Sequence, residues 1–177
     1  TLMQKDIIFV LNKKSFHFPL SLKIIRKIPE DKEDLFTDMI NSKNYYVQSK
    51  VRNEVFELYL LYWKDGTTPE ISEDNIWEYF QLSKEFGLLQ DYLLSPQFDL
   101  LYLAKYDQIL TQDMNFNKSF IEEKISLHLD EYLSNSAKQL SKIPITSLYN
   151  IFYHSKRKLT NQESAYLFII NAAKENP

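Results

Sequence analysis

VRNEVFELYLLYWKDG at residues 51–66, followed by TTPEISEDN at 67–75 and IWEYFQLSKEFGLLQDYL at 76–93, is the stretch on which the fold turns. Val55, Phe56, Tyr59, Leu60, Tyr62 and Trp63 recur at the i, i+3/i+4, i+7 spacing of a helix with a wide apolar face. Asp65-Gly66 ends that helix, because glycine takes the left-handed C-terminal turn at no steric cost and Pro69 prevents resumption. Ile76, Tyr79, Phe80 and Ser83 repeat the rhythm in a second helix, which Gly87 closes before Leu88, Leu89, Tyr92 and Leu93 open a third. The spacing predicts two long helices around a turn, with a short one attached. Leu58, Leu61 and Tyr62 widen the first helix's apolar face beyond what one neighbour covers. Burial is expected for Phe56 and Leu60. Tyr59, Trp63 and Tyr79 carry amphipathic rings that suit an interface, so they are expected at the surface.

Upstream, Ile7, Phe9 and Leu11 alternate with Ile8 and Val10, which predicts a strand covered on both faces. Asn12-Lys13-Lys14-Ser15 reads as a polar turn, and Phe16-His17-Phe18 as a second strand, giving a β-hairpin. Residues 20–28 have the spacing of a short helix that Pro29 stops. Glu30, Asp31, Glu33 and Asp34 then make an acidic start for a helix carrying Leu35, Phe36, Met39 and Ile40. Tyr45-Tyr46-Val47 reads as one more strand.

Downstream, Ser95-Pro96 marks a boundary, because proline disfavours helix in the residue before it. Phe98, Leu101, Tyr102 and Ala104 resume helical spacing toward Leu110, and residues 111–118 read as a loop. Three capping boxes follow: Ser119 with Glu122, Ser136 with Gln139, and Thr160 with Glu163. Apolar stripes run through Ile121, Ile125, Leu129, Tyr132 and Leu133, through Leu148, Ile151 and Phe152, and through Ala165, Phe168, Ile169 and Ala172. No internal repeat or low-complexity tract interrupts them.

At 177 residues the chain suffices for one domain or two small ones. Twelve Tyr and 12 Phe supply large buried area, while 2 Gly leave few tight turns, which favours helix over sandwich or barrel. The net charge of −3 argues against a general nucleic-acid binder. The absence of cysteine excludes disulfides, zinc-thiolate sites and thiol nucleophiles. No apolar run reaches membrane-spanning length and the N-terminus lacks a signal-peptide pattern, so no membrane partner is expected and an intracellular location, cytoplasmic or nuclear, is. Ending at Asn176-Pro177 just after a helical pattern suits a piece excised from a longer protein.

His17, His128 and His154 are far apart and have no metal-ligand spacing around them. There is no nucleophile elbow and no phosphate-cradling loop, so no catalytic, cofactor or metal residue is assigned and the chain is not expected to be an enzyme. Charge is segregated: residues 132–162 carry no acid but include Lys138, Lys142, Lys156, Arg157 and Lys158, whereas acids cluster at Glu30 to Asp38 and at Asp65 to Glu78. A basic end that docks an acidic partner is one reading, and solvated helix faces are the plainer one. Tyr149 and Tyr153 lie near that end, with a spacing that suits the core equally well.

IIFVLNKKSFHF, SLKIIRKI, EDLFTDMI, YYVQ, VFELYLLYWKDG and ISEDNIWEYFQLSKEFGLLQDYL together resemble the BTB (POZ) family: a strand hairpin, a helix pair, a strand, a long helix, a Gly turn and an asparagine-led helix. Residues 124–173 are similar to a BACK-type helical segment, with a Leu-x-x-Ile-Pro step, a Leu-x-x-Ile-Phe helix and a Leu-Thr-x-x-Glu start. The resemblance implies an α+β, mostly helical fold. A small sheet made of the N-terminal hairpin plus one strand packs with helices in a BTB-like domain at 1–95, and an all-α BACK-like extension, itself truncated, fills 96–177. It further implies a non-catalytic module for protein–protein interaction and oligomerisation, either a homodimeric scaffold or a substrate adaptor of a cullin-type ubiquitin ligase. Pro19 stands where members often carry His. Met39-Ile40-Asn41 matches the apolar-x-acid motif of cullin binders without its acid, which weakens the cullin link. The expected interaction surface comprises Met39, Ile40, Tyr59, Trp63, Tyr79, Lys156, Arg157 and Lys158. The alternative is a small all-helical regulator or inhibitor that resembles BTB only in helix spacing.

Overall fold

The computed structural model describes residues 6–105, 117–155 and 162–175. They belong to two compact units, Thr1–Leu94 and Ser95–Pro177, each with its own core.

The first unit begins with a hairpin of β1 (Asp6–Leu11) and β2 (Lys14–Pro19). The expected four-residue turn is only two residues long. Asn12 and Lys13 both take left-handed backbone, φ 51° and 65°, which suits the twist of the flanking strands, and Lys14 and Ser15 pair within β2. Ile7, Phe9 and Leu11 are buried while Ile8 and Val10 are half-buried, so β1 has one face in the core rather than two. β3 (Asn44–Tyr46) lies parallel to β1 with Tyr45 opposite Phe9, and the sheet order is β2-β1-β3.

Parallel pairing needs a crossover. α1 (Leu22–Ile25), a 3-10 turn at Glu30–Lys32 and α2 (Glu33–Ser42) supply it. The helix expected over 20–28 is thus a single turn, started by the Ser21 hydroxyl, which accepts from the Ile24 N–H at 3.3 Å.

α3 (Asn53–Asp65), α4 (Ile76–Phe86) and α5 (Gln90–Leu93) complete the unit. Gly66 and Gly87 end α3 and α4 in left-handed backbone, φ 85° and 77°. Gly87 is constrained twice, since a Cβ there would lie 2.8 Å from Pro29 Cγ, whereas Gly66 faces open space. Asn75 stitches the loop before α4: its Oδ1 accepts from the Ser72 N–H at 2.8 Å and its Nδ2 donates to the Glu70 carbonyl at 3.0 Å.

Aromatic rings fill the space between sheet and helices. Phe9 has the rings of Phe18, Tyr45, Phe56, Trp63 and Phe86 at centroid distances of 5.6 to 6.0 Å. The fold is therefore α+β and mostly helical, with a small three-stranded mixed sheet, and it is not the all-helical alternative.

The second unit is helical throughout its described residues: a 3-10 turn at Pro96–Phe98, then α6 (Asp99–Ala104), α7 (Lys118–Leu127), α8 (Leu129–Asn135), α9 (Ala137–Leu140), α10 (Ile145–Ser155) and α11 (Gln162–Glu175). Leu103, Ile125, Leu129, Leu140 and Ile151 are buried at its centre, and Ala165 and Ala172 are buried along α11.

The two capping boxes that fall on described residues do not form as expected. Asn117, not Ser119, caps α7, its Oδ1 accepting from the Phe120 N–H at 3.1 Å, so Lys118 opens a helix instead of closing a loop. Ser136 precedes α9 without a side-chain cap bond. Thr160, residues 111–116 of the expected loop and residues 106–110 of the run toward Leu110 lie outside the described residues. No helix among the described residues is long and apolar enough to cross a membrane.

Candidate functional site

Most of the described part of the surface expected from sequence is interior. Met39, Tyr59, Trp63 and Tyr79 are all 0–1% exposed, and Ile40 is half-buried. The reason is that α3 is enclosed by neighbours contributed from distant parts of the chain. The Tyr59 hydroxyl lies 3.1 Å from the Leu88 carbonyl and 3.3 Å from that of Leu82, and burial raises its pKa well above the ordinary value. Trp63 packs on Phe18, Phe36 and Phe86, with centroids at 5.1, 5.4 and 5.8 Å. Tyr79 is pushed up to about 12, first by burial and then by the neighbouring Glu78. Asn41 is exposed. Lys156, Arg157 and Lys158 lie outside the described residues. What α3 does turn outward is Leu58 and Leu61, and α1 turns out Leu22 and Ile25.

One face of α4 forms a ladder of acceptors. Glu78, Gln81 and Glu85, at i, i+3 and i+7, take the backbone N–H groups of the extended segment at residues 48–52. Glu85 accepts from the Gln48 and Ser49 amides and from the Tyr45 hydroxyl, each at 2.8 Å, and from the Ser49 hydroxyl. Burial first, and then that bond to Glu85, push the Tyr45 phenol above its ordinary range. Glu78 is 7% exposed and is held by Arg52 three ways: backbone N–H to Oε2 at 2.7 Å, Nε to Oε1 at 2.8 Å and a terminal guanidinium nitrogen to Oε1 at 2.6 Å. The hydrogen bond to Glu78 and its charge raise the Arg52 pKa. Sequence reasoning missed this ladder. Its signal was there in three acceptor side chains on one helical stripe, but their donors are backbone groups, which no side-chain pattern reveals.

At the other end of the same segment, Asn12 Nδ2 donates to the Val51 carbonyl at 3.0 Å and to Asn53 Oδ1 at 3.1 Å. The hairpin turn is thereby tied to the start of α3, and an open cleft of about 730 Å³ lies between the turn and the connector at residues 47–52, with Lys13, Lys50 and Arg52 among its lining residues.

The second unit buries two carboxylates. Asp99 is 3% exposed, with Lys124 Nζ at 3.1 Å from each carboxylate oxygen, and burial raises its carboxyl pKa against the opposing pull of that lysine. Glu122 accepts from Asn150 Nδ2 at 3.0 Å and has Lys118 at 3.8 Å. Each carboxylate takes one hydrogen bond from another helix, which clips α6 and α10 to α7, while Asp99 Oδ2 and Glu122 Oε1 are buried without one. Burial likewise pushes Tyr132 up to about 12. On the surface, Ile145, Tyr149 and Tyr153 form one exposed stripe of α10, the two tyrosine rings stacked with centroids 6.2 Å apart. No group of three or more His, Asp or Glu that could hold a metal ion occurs among the described residues. Comparison with protein-family models, with curated proteins and with solved structures finds no match in any of the three.

Proposed function

We propose that the chain is a non-catalytic protein–protein interaction and oligomerisation module with a BTB-like first unit and a BACK-like second one. The observation that carries this reading is the shared sheet: the strand at Asn44–Tyr46, delivered by a helix pair, joins the hairpin at β1 rather than pairing elsewhere. The elements before and after it follow the order that the resemblance implies, through the Gly66 turn to the helix that follows Asn75. Leu22, Ile25, Leu58 and Leu61 supply exposed apolar area for contact with another chain.

Of the two versions of this role, a scaffold without a cullin link is favoured. Asn41 lacks the acid of the cullin motif, and Met39, its apolar member, is buried. Light scattering after size exclusion at tens of micromolar is expected to find a self-associated species, and a strict monomer would remove the oligomerisation role. Pull-down against purified cullins is expected to be negative. A stable cullin complex would restore the adaptor role.

A further inference from the structure

The cleft between the hairpin turn and the connector at residues 47–52 has a composition unlike the chain as a whole. Its floor is apolar, with Leu11 and Val51 buried and Val10 and Val47 half-buried. Three cations, Lys13, Lys50 and Arg52, line it against a single acid, Glu78, which Arg52 already neutralises. Glu54 and Asp74 also act on Arg52, but neither lines the cleft. Lys13 and Lys50 are exposed and have no carboxylate partner among the described residues. Two unpaired ammonium groups over an apolar floor thus stand out on a chain whose net charge is −3. Tyr46, 64% exposed, adds an aromatic wall.

Several backbone groups around the cleft are already taken. The Asn44 and Tyr46 carbonyls, on the edge of β3 away from β1, accept from Ser42 Oγ at 2.9 Å and Gln48 Nε2 at 2.8 Å. The amides of residues 48–50 and 52 are held by α4. A ligand that extended the sheet would have to break these bonds. Recognition at this place falls instead to charge and apolar contact between side chains. The cleft is open rather than enclosed, which suits a segment of another protein better than a small molecule that needs most of its surface covered.

We propose that this cleft binds an acidic segment of a partner protein, an apolar side chain seated over Val10 and Val47 with flanking carboxylates on Lys13 and Lys50. The inference rests on the protein-binding reading above and names the chemistry of its partner.

The test is fluorescence anisotropy on the full chain with a labelled Glu/Leu-rich peptide, its Lys/Leu counterpart, and the double variant Lys13→Glu, Lys50→Glu. The acidic peptide is expected to bind at least about tenfold more tightly than the basic one, and the double variant to lose about tenfold in affinity for it. Salt well above physiological strength should weaken binding similarly. Both lysines are exposed, so the variant's thermal melt should match the parent's, which separates lost binding from lost folding. Equal binding of the two peptides, an unaffected variant, or full displacement by millimolar inorganic phosphate would each overturn the proposal, the last in favour of a small-anion site. Light scattering on the same samples separates this inference from self-association: a monomer that binds the peptide keeps the cleft and loses only oligomerisation.

Discussion

In the first unit Phe9 is wholly buried among five aromatic rings, while in the second Phe120, Tyr149, Tyr153 and Tyr166 lie on the surface and the carboxylates of Asp99 and Glu122 lie inside. The contrast shows that one composition can be spent in two ways. A sheet offers a broad flat face on which large rings meet edge to face at 5 to 7 Å. Helices packed only on helices meet along narrower stripes, filled here mostly by Leu, Ile and Ala with Phe98 and Tyr102 among them, and the polar residues caught between them need partners. The first unit is thus held mainly by shape, and the second in part by paired charge.

The largest test of that contrast is Phe9→Ala. It should cost about 3 to 5 kcal/mol in denaturant unfolding, because it opens a cavity facing five rings. A loss below about 1 kcal/mol would mean that the cluster collapses freely and is not the unit's frame.

Next comes the ion pair. Lys124→Met leaves the Asp99 carboxylate buried without its cation and should destabilise the second unit by about 3 kcal/mol, whereas Asp99→Asn, which frees a partly exposed lysine, should cost roughly 1 kcal/mol. The sign with pH is fixed by direction. Asp99's folded pKa is raised above the unfolded value of 3.8, so the protonated form is favoured by folding. Its contribution to stability is full below that value and is lost as pH rises through the raised folded one. Asp99→Asn should flatten that part of the stability-versus-pH curve, and an unchanged curve would place the titration elsewhere.

Glu85→Gln probes the first unit's one strongly polar feature. Replacing one acceptor oxygen by a donor sets it against the amide of either Gln48 or Ser49, for an expected loss of about 1 to 3 kcal/mol. The smallest effect belongs to Tyr149→Ser, which should stay within about 0.5 kcal/mol because the ring is 68% exposed. A larger loss would show that the Tyr149–Tyr153 stack is structural, and would narrow the difference between the units.

How far the sequence reaches can be judged from particular residues. Gly66 and Gly87 marked both helix ends, because a left-handed cap is a local requirement with a near-unique residue. The hairpin and the third strand were legible from alternation, although not their parallel pairing, which depends on where α1 and α2 carry the chain. Tyr59, Trp63 and Tyr79 were placed outside for the chemistry of their rings. Helical spacing reports that a face is apolar, but not which flank of a wide face a sheet will cover, and here the outward flank belongs to Leu58 and Leu61. Ser119 lost its capping role to Asn117, two residues earlier, as competing cap residues in one polar run allow. The cleft's cations come from a turn and a connector, which the β1–β3 pairing and the bonds of Asn12 across some 40 residues bring together.

The ladder on α4 also bears on how the molecule breathes. Residues 48–50 and 52 form no strand, yet their amides are secured to one helix. Their exchange with solvent deuterium should therefore follow the opening of α4 rather than the rapid local motion usual for a connector. A segment that is irregular in shape would then share the lifetime of regular structure, and any event that loosened α4 would release the approach to α3 in the same step.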